Sequence, residues 1–187
     1  MLRGEKIMLR ARRDDDVPVL QAELYDDVIT RSRADSRPWR PIPPGSPESP
    51  YAVSGPRDDA ACFSVVRLAD DELAGEALLW GIDLHNRTAH LGISLRPGLR
   101  GQGLGADVVR VLCHYGFAVR GLHRLQVDTL AENTAMIRAA ERSGFVLEGT
   151  LRRAAWVGGA FVDEVILGLL VAEWQGAHSP AGDGPVG

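Results

Sequence analysis

Residues 100–106 read RGQGLGA and join a strand-like segment, Arg87 to Leu95, to a helix-like segment, Gly103 to Arg120. Glycine adopts positive φ angles without strain and lets a ligand come close to the main chain. Free N–H groups at the start of a helix attract an anion, and the helix dipole adds to that attraction. Arg100 adds a permanent positive charge. The stretch therefore predicts a phosphate-binding loop; the alternative is a turn that only caps the helix.

Two common phosphate-binding motifs do not fit this loop. The pattern G-x-x-x-x-G-K-[ST] of the P-loop does not occur in the sequence. The dinucleotide-binding pattern G-x-G-x-x-G follows an early strand, whereas Gly101, Gly103 and Gly105 lie in mid-chain after a run of strand-like segments. The sequence therefore points away from both of these nucleotide-binding folds.

Hydrophobic periodicity around the loop predicts one mixed sheet with helices on its faces. Alternating or short apolar runs predict strands at 6–12, 61–68, 72–82, 87–95, 125–129, 145–157 and 161–171. Apolar residues spaced three to four apart predict helices that start near Asp14, at Gly103 and at Asn133. Consecutive strands followed by a strand–helix–strand unit are typical of an α+β fold.

The segment from Arg37 to Pro56 contains seven of the eleven prolines. Each proline removes a hydrogen-bond donor and fixes φ, so this density excludes a helix or a central strand. Long loops in compact domains are often binding lids, although a solvated connector is the alternative. If the segment is a lid, Trp39 is the residue we expect to contact the substrate.

Length and composition indicate one globular domain, which we expect over residues 1–175, followed by a flexible tail at 176–187. Hydrophobic residues make up 45% and charged residues 25%, which excludes a disordered chain or a coiled coil. The net charge of −4 argues against nucleic acid as a partner. Lys6 is the only lysine beside twenty arginines, so we expect anion recognition to depend on Arg100 and backbone amides.

Cysteine spacing and hydropathy bear on metals and membranes. Two cysteines far apart argue against a zinc site or a disulfide scaffold. The longest strongly apolar run, Val165 to Ala172, is too short for a membrane span, which needs roughly 20 residues. The start of the chain does not resemble a signal peptide. We therefore expect a cytoplasmic protein that binds neither a metal nor a membrane.

The loop and its flanks resemble the GNAT superfamily of N-acetyltransferases. The spacing Arg100-x-x-Gly103-x-Gly105 matches the acetyl-coenzyme A motif [Q/R]-x-x-G-x-[G/A] of that superfamily. Further along the chain, the sequence is similar to the branch that acetylates ribosomal-protein N-termini, the RimJ/RimL branch. The similar positions are Asn133, Ser143-Gly144-Phe145, Glu148-Gly149, Leu151-Arg152, Gly159 and Asp163. The resemblance covers nearly the whole chain, from Lys6 to Trp174.

The resemblance implies a single-domain fold with about seven strands, mostly antiparallel, that separate in the middle to admit acetyl-CoA as co-substrate. Ser94 and Leu95 would pair with the pantetheine arm, and the Leu95 N–H would polarise the acetyl carbonyl. Asn133 would bind the pantetheine, and Arg138 would reach a phosphate, although a helix N-cap and a solvated arginine are the alternatives. The pyrophosphate would lie on the backbone of Arg100, Gly101, Gln102, Gly103, Leu104, Gly105 and Ala106.

The sequence departs from the family at its acid and base positions. Many relatives carry a glutamate on the strand before the loop, where this chain has Ala89-His90-Leu91. Many carry a tyrosine where this chain has Ala140, and the RimJ/RimL branch often has a serine where it has Met136. We therefore assign no general acid and consider His90 and Asp128 as bases, with structural roles as their alternatives.

Without an assigned acid or base, an acceptor of low pKa is favoured. An α-amine has a pKa near 8 and a lysine amine a pKa near 10.4, so the α-amine is a few-hundred-fold more available in its neutral form. We expect a peptide or protein N-terminus as acceptor. The alternatives are a small-molecule amine such as an amino sugar or polyamine, another acyl-CoA such as succinyl-CoA, and a non-catalytic acyl-CoA-binding module. The resemblance also leaves a homodimer open.

Overall fold

The computed structural model of the 187-residue chain describes residues 1–34, 37–43 and 45–178. Within these ranges the strands are β1 (Leu2–Arg3), β2 (Ile7–Arg10), β3 (Ala60–Arg67), β4 (Leu73–Asp83), β5 (Thr88–Leu95), β6 (Arg124–Leu130), β7 (Val146–Val157) and β8 (Ala160–Leu170). The helices are α1 (Asp16–Leu20), α2 (Val28–Ala34), α3 (Leu104–His114), α4 (Thr134–Arg142) and α5 (Val171–His178). Single π-helical turns extend α1 over Gln21–Tyr25 and α3 over Tyr115–Val119.

The strands form one mixed sheet in the order β1-β2-β3-β4-β5-β6-β8-β7. Every neighbouring pair is antiparallel except β5 and β6, which are parallel. The predicted α+β fold with a mostly antiparallel sheet is confirmed. The sheet has eight strands where about seven were expected, because the short β1 pairs with β2.

The two parallel strands separate after three paired positions. The last of them joins His90 to Gln126, and residues 91–95 and 127–130 continue beyond it without pairing to each other. We call the wedge between these two segments the strand cleft. It opens toward the glycine-rich loop at 100–106, so the loop and the cleft form one continuous site.

One face of the sheet, the inner face, packs against α3 and α4 through apolar side chains. Alternate strand positions such as Leu79, Leu125 and Leu167 are fully buried there, together with Val108 and Leu112 of α3. Burying a side chain of this size contributes roughly 1.5–3 kcal/mol. The apolar contacts fix α3 on the sheet and with it the glycine-rich loop that precedes the helix.

The opposite face, the outer face, meets α1 through a buried carboxylate. Asp16 accepts hydrogen bonds from both terminal nitrogens of Arg10 at 2.6 and 2.7 Å, and from Ser64 Oγ at 2.7 Å. Its pKa falls to about 2: burial would raise it, but the bonds from Arg10, the Arg13 backbone and Ser64 outweigh that effect. These bonds fasten the start of α1 to β2 and β3.

A second buried polar group lies where the proline-rich segment covers the outer face. Arg12 donates to Glu76 Oε2 at 2.7 Å and to the Pro50 carbonyl at 3.2 Å. The Arg12 and Glu76 side chains are only 5% and 10% exposed. Arg12 also lies 5.4 Å from the ring centre of Tyr51, which is fully buried. The segment is therefore anchored on the sheet beside β4.

The residues described between 37 and 56 contain neither helix nor strand, as the prolines predict, and Pro44 lies outside the described residues. Two helices were not expected from the sequence. Asp27 accepts hydrogen bonds from the Ile29 and Thr30 backbone and so starts α2. Helix α5 includes the first three residues of the predicted tail, and residues 179–187 lie outside the described residues.

Candidate active site

The glycine-rich loop owes its shape to two of its glycines. Gly101 has a φ of 76° and Gly103 a φ of 78°, a region in which other residues are strained. Gly103 is the N-cap of α3, so the free N–H groups of the first helical turn follow it directly. Gly105 lies inside α3 and carries no positive φ. The predicted helix start is confirmed, and its backbone donors border the mouth of the strand cleft.

Three cationic side chains surround the loop. Arg100 donates from Nε to the Leu95 carbonyl at 2.9 Å. Arg67 donates to Gln102 Oε1 at 2.7 Å, and Lys6 Nζ donates to the Gln102 carbonyl at 3.3 Å. Arg67 and Lys6 were not identified from the sequence, since they lie 35 and 96 positions from Gln102. The dominant role of Arg100 in anion recognition stays a prediction, and Arg67 and Lys6 are two further cations beside the same loop.

The end of β5 forms one wall of the cleft. Ser94 pairs with Glu76 and Leu95 with Gly75 on the β4 side. The Arg96 N–H donates to the Ala74 carbonyl, so it points toward β4. Because successive N–H groups of a strand point in opposite directions, the Leu95 N–H points into the cleft, and so does the Ile93 N–H. The strand thus presents backbone donors to a molecule that enters the cleft.

His90 and Asp128 meet at the closed end of the cleft. His90 Nδ1 lies 2.5 Å from Asp128 Oδ2, and the two side chains are 32% and 29% exposed. Trp80 stacks on the His90 ring with the ring centres 4.2 Å apart. Gln126 donates to the other carboxylate oxygen of Asp128 at 2.8 Å. Two residues named separately from the sequence therefore form one hydrogen-bonded dyad.

The dyad has a defined electrostatic arrangement. Burial would raise the pKa of Asp128, but the hydrogen bonds from His90 and Gln126 outweigh that effect and lower it. Asp128 is therefore ionised at neutral pH, and its carboxylate accepts a hydrogen bond from the Nδ1–H of His90. In that tautomer the Nε2 of His90 carries the free lone pair and can accept a proton. The pair can act as a base in which Asp128 orients the imidazole.

Asn133 caps the start of α4, and Arg138 lies in the middle of that helix. Asn133 Oδ1 accepts from the Met136 N–H at 3.2 Å, and its Nδ2 donates to Thr129 Oγ1 at 2.9 Å. The predicted N-cap is thereby confirmed, and the same side chain links α4 to the open end of β6. Arg138 is exposed on α4. Its contact with a cofactor phosphate stays a prediction.

Ala140 occupies the position at which many family members carry a tyrosine. Ala140 is fully buried in the apolar core, so this turn of α4 supplies no acid to the cleft.

Trp39 is anchored on the outer face: its Nε1 donates to the Tyr25 carbonyl at 3.0 Å, and the Tyr25 hydroxyl donates to the Arg40 carbonyl. The structure thus ties Trp39 to the end of the α1 π-turn, and its contact with a substrate stays a prediction.

Among the described residues, no group of three histidine, cysteine, aspartate or glutamate side chains could hold a metal ion. None of the helices described is long and apolar enough to cross a membrane.

The comparisons with known proteins agree with this geometry. Residues 6–146 match a family model described as the acetyltransferase (GNAT) domain, and the chain belongs to this family. Among curated relatives, the probable N-acetyltransferase YjcK of Bacillus subtilis (strain 168) is 29% identical over 115 residues, which cover 61% of this chain and 64% of that protein. The ribosomal-protein-serine acetyltransferase of Escherichia coli (strain K12) is 31% identical over 94 residues, which cover 50% and 52%. The matches thus span less than two thirds of these relatives.

A solved structure shares the fold over most of the chain. It is the spermidine N-acetyltransferase of Vibrio cholerae in complex with CoA and spermine, with a TM-score of 0.81 and 22% identity. The superposition covers 91% of this chain and 99% of that one. The GNAT fold expected from the loop motif is confirmed. The assignment to the RimJ/RimL branch stays a prediction.

Proposed function

We propose that this protein is an acyl-CoA-dependent N-acetyltransferase that transfers an acetyl group to a primary amine. The observation that carries the proposal is the strand cleft, with backbone N–H donors along β5, the glycine-rich loop at its mouth and the His90–Asp128 dyad at its closed end. Membership of the acetyltransferase family supports it. No other feature of the described residues combines an anion site with a base.

The donor would bind along the cleft from the loop inward. The backbone N–H groups of 100–106 would hold the pyrophosphate, and the Arg100 guanidinium would exchange the Leu95 carbonyl for a phosphate oxygen. Of the two predicted contacts, Ser94 faces β4 and Leu95 faces the cleft, so the pantetheine arm would pair as an added strand with the cleft-facing positions Leu95 and Ile93. Asn133 would contact the arm from the opposite wall, since it is linked to the end of β6.

The acyl transfer would then follow the usual course of thioester aminolysis. The amine nitrogen attacks the acetyl carbon, a C–N bond forms, the C–S bond breaks, and the CoA thiolate leaves. The proton lost by the amine passes to His90 Nε2. A backbone N–H in the cleft stabilises the developing oxyanion; we assign Leu95, and the Ile93 N–H points the same way. At about 3.3 Å per residue, Leu95 lies roughly 16 Å along β5 from His90, so ordered water would relay the proton.

The acceptor we propose is an N-terminal α-amine. With the His90–Asp128 dyad as the base, the reaction no longer requires an amine of low pKa. A different observation supports it. Of the three acids that could attract a cationic polyamine, Asp58, Asp59 and Glu76, the last two are ion-paired: Glu76 with Arg12 and Asp59 with Arg57. A polyamine is the second candidate, since a structure of the same fold binds spermine.

A thiol-release assay with acetyl-CoA tests the proposal. We expect turnover with a lysine-free peptide that has a free N-terminus, and at least tenfold less with spermidine or with an N-terminally blocked peptide that contains lysine. A faster reaction with spermidine would reverse the acceptor assignment, and a faster reaction with succinyl-CoA would change the donor. CoA binding without turnover on any amine would leave only a binding module.

Variants of the dyad test the catalytic assignment. We expect His90→Gln to lower kcat by about 100-fold or more, the range typical of a general base. Asp128→Asn should lower kcat by about tenfold with KM for acetyl-CoA unchanged, since Asp128 acts through His90. His85→Gln, a change of the same type at an exposed turn, serves as the control. Equal rates for His90→Gln and His85→Gln would exclude His90 as the base.

A further inference from the structure

Lys6 is the only lysine of the chain, and it lies at the glycine-rich loop. Its Nζ donates to the Gln102 carbonyl at 3.3 Å and lies 3.1 Å from the position that a Cβ on Gly103 would occupy. The side chain is exposed, and no carboxylate of the described residues lies within ion-pair distance of it. An unneutralised ammonium therefore stands beside the two residues that lead into α3.

A buried carboxylate holds Lys6 in this place. Asp107, in the first turn of α3, accepts hydrogen bonds at Oδ2 from the Lys6 N–H at 2.7 Å and from the Ile7 N–H at 3.1 Å. Burial would raise the pKa of Asp107, but hydrogen bonds from Arg110 and from backbone groups that include Lys6 outweigh it and lower the pKa. A Cβ on Gly4 would lie 2.4 Å from Asp107 Oδ2, so the chain fits closely against the carboxylate.

The cations at the loop differ in how they are neutralised. Arg67 is paired with Asp70 and Glu72, each at 2.6 Å. Arg100 donates to the Leu95 carbonyl, and no carboxylate of the described residues lies within ion-pair distance of Arg100 or Lys6, although the Asp27 carboxylate interacts electrostatically with Arg100 at longer range. Lys6 and Arg100 are therefore the two cations available to an anion at the start of α3.

We infer that Lys6 is a phosphate ligand for the acyl-CoA co-substrate and complements Arg100 at the glycine-rich loop. The inference rests on the proposed function, since it concerns the same binding site. Coenzyme A offers two kinds of phosphate, the pyrophosphate and the 3′-phosphate, and an ammonium binds either as a point charge. A hydrogen bond to a charged group of this kind corresponds to about tenfold in affinity.

Titration calorimetry with CoA tests the inference on the full chain. We expect Lys6→Gln to weaken CoA binding by about tenfold and Lys6→Arg to stay within about threefold of the parent. Arg13→Gln removes the same charge at an exposed position away from the loop and should leave the affinity unchanged. Equal affinities for the parent and Lys6→Gln would overturn the inference and leave the proposed function intact. A parent protein that binds no CoA would instead overturn the proposed function.

Dephospho-CoA, which lacks the 3′-phosphate, identifies the phosphate. If the tenfold loss in Lys6→Gln disappears with this ligand, Lys6 binds the 3′-phosphate. If the loss persists, Lys6 binds the pyrophosphate. Either result upholds a phosphate contact.

Because the chain has one lysine, the labelling of lysine side chains reports on Lys6 alone. Trinitrobenzenesulfonate should modify Lys6 in the free protein, and saturating CoA should slow that reaction at least fivefold. The N-terminal amine serves as the internal reference in the same mass spectrum. Equal labelling of Lys6 with and without CoA, under conditions in which calorimetry shows saturation, would contradict the contact.

Discussion

The inner and outer faces of the sheet are closed by different chemistry. The inner face packs Leu79 and Leu125 against α3 through apolar side chains, and a buried carboxylate, Asp107, lies where the first turn of α3 meets the start of β2. The outer face places two buried ion pairs between the sheet and its cover, one at Asp16 and one between Arg12 and Glu76. Both faces exclude water. The outer face depends on hydrogen-bond geometry where its cover meets the sheet, whereas the inner face depends on it at Asp107 and on apolar packing elsewhere.

The difference follows from what each face must position. Apolar burial is non-directional, so it supports α3 without fixing individual atoms. Ion pairs and their hydrogen bonds fix distances to a few tenths of an ångström. Glu76 pairs with Ser94 across β4 and β5, so the outer-face ion pair lies directly beside the strand that lines the cleft. The ion pair of the outer face thus helps to hold β5, which lines the proposed acyl-transfer site, in position.

The largest effect is expected from Arg12→Met, which removes the guanidinium that forms a buried ion pair with the Glu76 carboxylate. Removing one partner of a buried ion pair costs roughly 3–5 kcal/mol, because the remaining charge stays desolvated. Urea unfolding, followed by circular dichroism, measures the change in the free energy of unfolding.

The double variant Arg12→Met/Glu76→Leu replaces the buried ion pair of the outer face by two apolar side chains, like those that close the inner face. It should recover most of the stability lost in Arg12→Met, since both charges are removed together. If the free energy of unfolding of the double variant is lower than that of Arg12→Met, the charged groups also stabilise the outer face through contacts other than their mutual ion pair.

Next in size is Leu125→Ala on the inner face. We expect a loss of about 3 kcal/mol in the free energy of unfolding, from lost burial and the cavity that remains. Leu84→Ala, at a turn where the side chain is 62% exposed, should change it by less than about 0.5 kcal/mol. A loss equally small at both positions would show that the inner face can collapse around the cavity.

The same contrast explains what the sequence could predict. Alternation along β4, β5 and β6 and the spacing within α3 come from apolar burial, which is visible in any window of the chain. Those elements were predicted to within about two residues of their ends. Helix α2 was missed because a single residue, Asp27, starts it, and β1 was missed because two residues carry no period.

The sequence predicted the parts of the candidate site that are formed by residues adjacent in the chain, but not the contacts between residues far apart in the chain. The glycine-rich loop is a contiguous pattern, so its position and the start of α3 were predicted directly. His90 and Asp128 were named separately, but their contact depends on the register of two parallel strands 38 positions apart. The contact of Lys6 with Gln102 spans 96 positions and has no local signature. Long-range polar contacts therefore require the fold before they can be inferred.

A smaller effect is expected from Asp16→Asn on the outer face. The pKa of Asp16 lies at about 2 in the folded state, against an ordinary value of 3.8 in the unfolded chain. That difference contributes about 2 kcal/mol to the stability at neutral pH. A lowered pKa means that the contribution is complete above about pH 5 and is lost as pH falls from about 4 to 2.

Urea midpoints measured between pH 7 and pH 2 test this assignment. The parent protein should lose stability in the acid range more steeply than Asp16→Asn. Asp15→Asn, the neighbouring exposed residue, provides the matched control and should keep the parent's pH profile. A profile for Asp16→Asn parallel to the parent's would show that other carboxylates govern the acid limb.

The smallest effect is expected at Asn133, which joins the end of β6 to the start of α4 beside the strand cleft. Asn133→Ala removes the cap of α4 and should cost about 1 kcal/mol in the free energy of unfolding, whereas Asn133→Asp keeps an acceptor for the Met136 N–H and should cost less. Calorimetry with CoA separates this role from the proposed contact with the pantetheine arm. If Asn133 only caps the helix, CoA affinity stays at the parent value in both variants. If it also binds the arm through its amide, both variants lose affinity, because neither retains the Nδ2 donor.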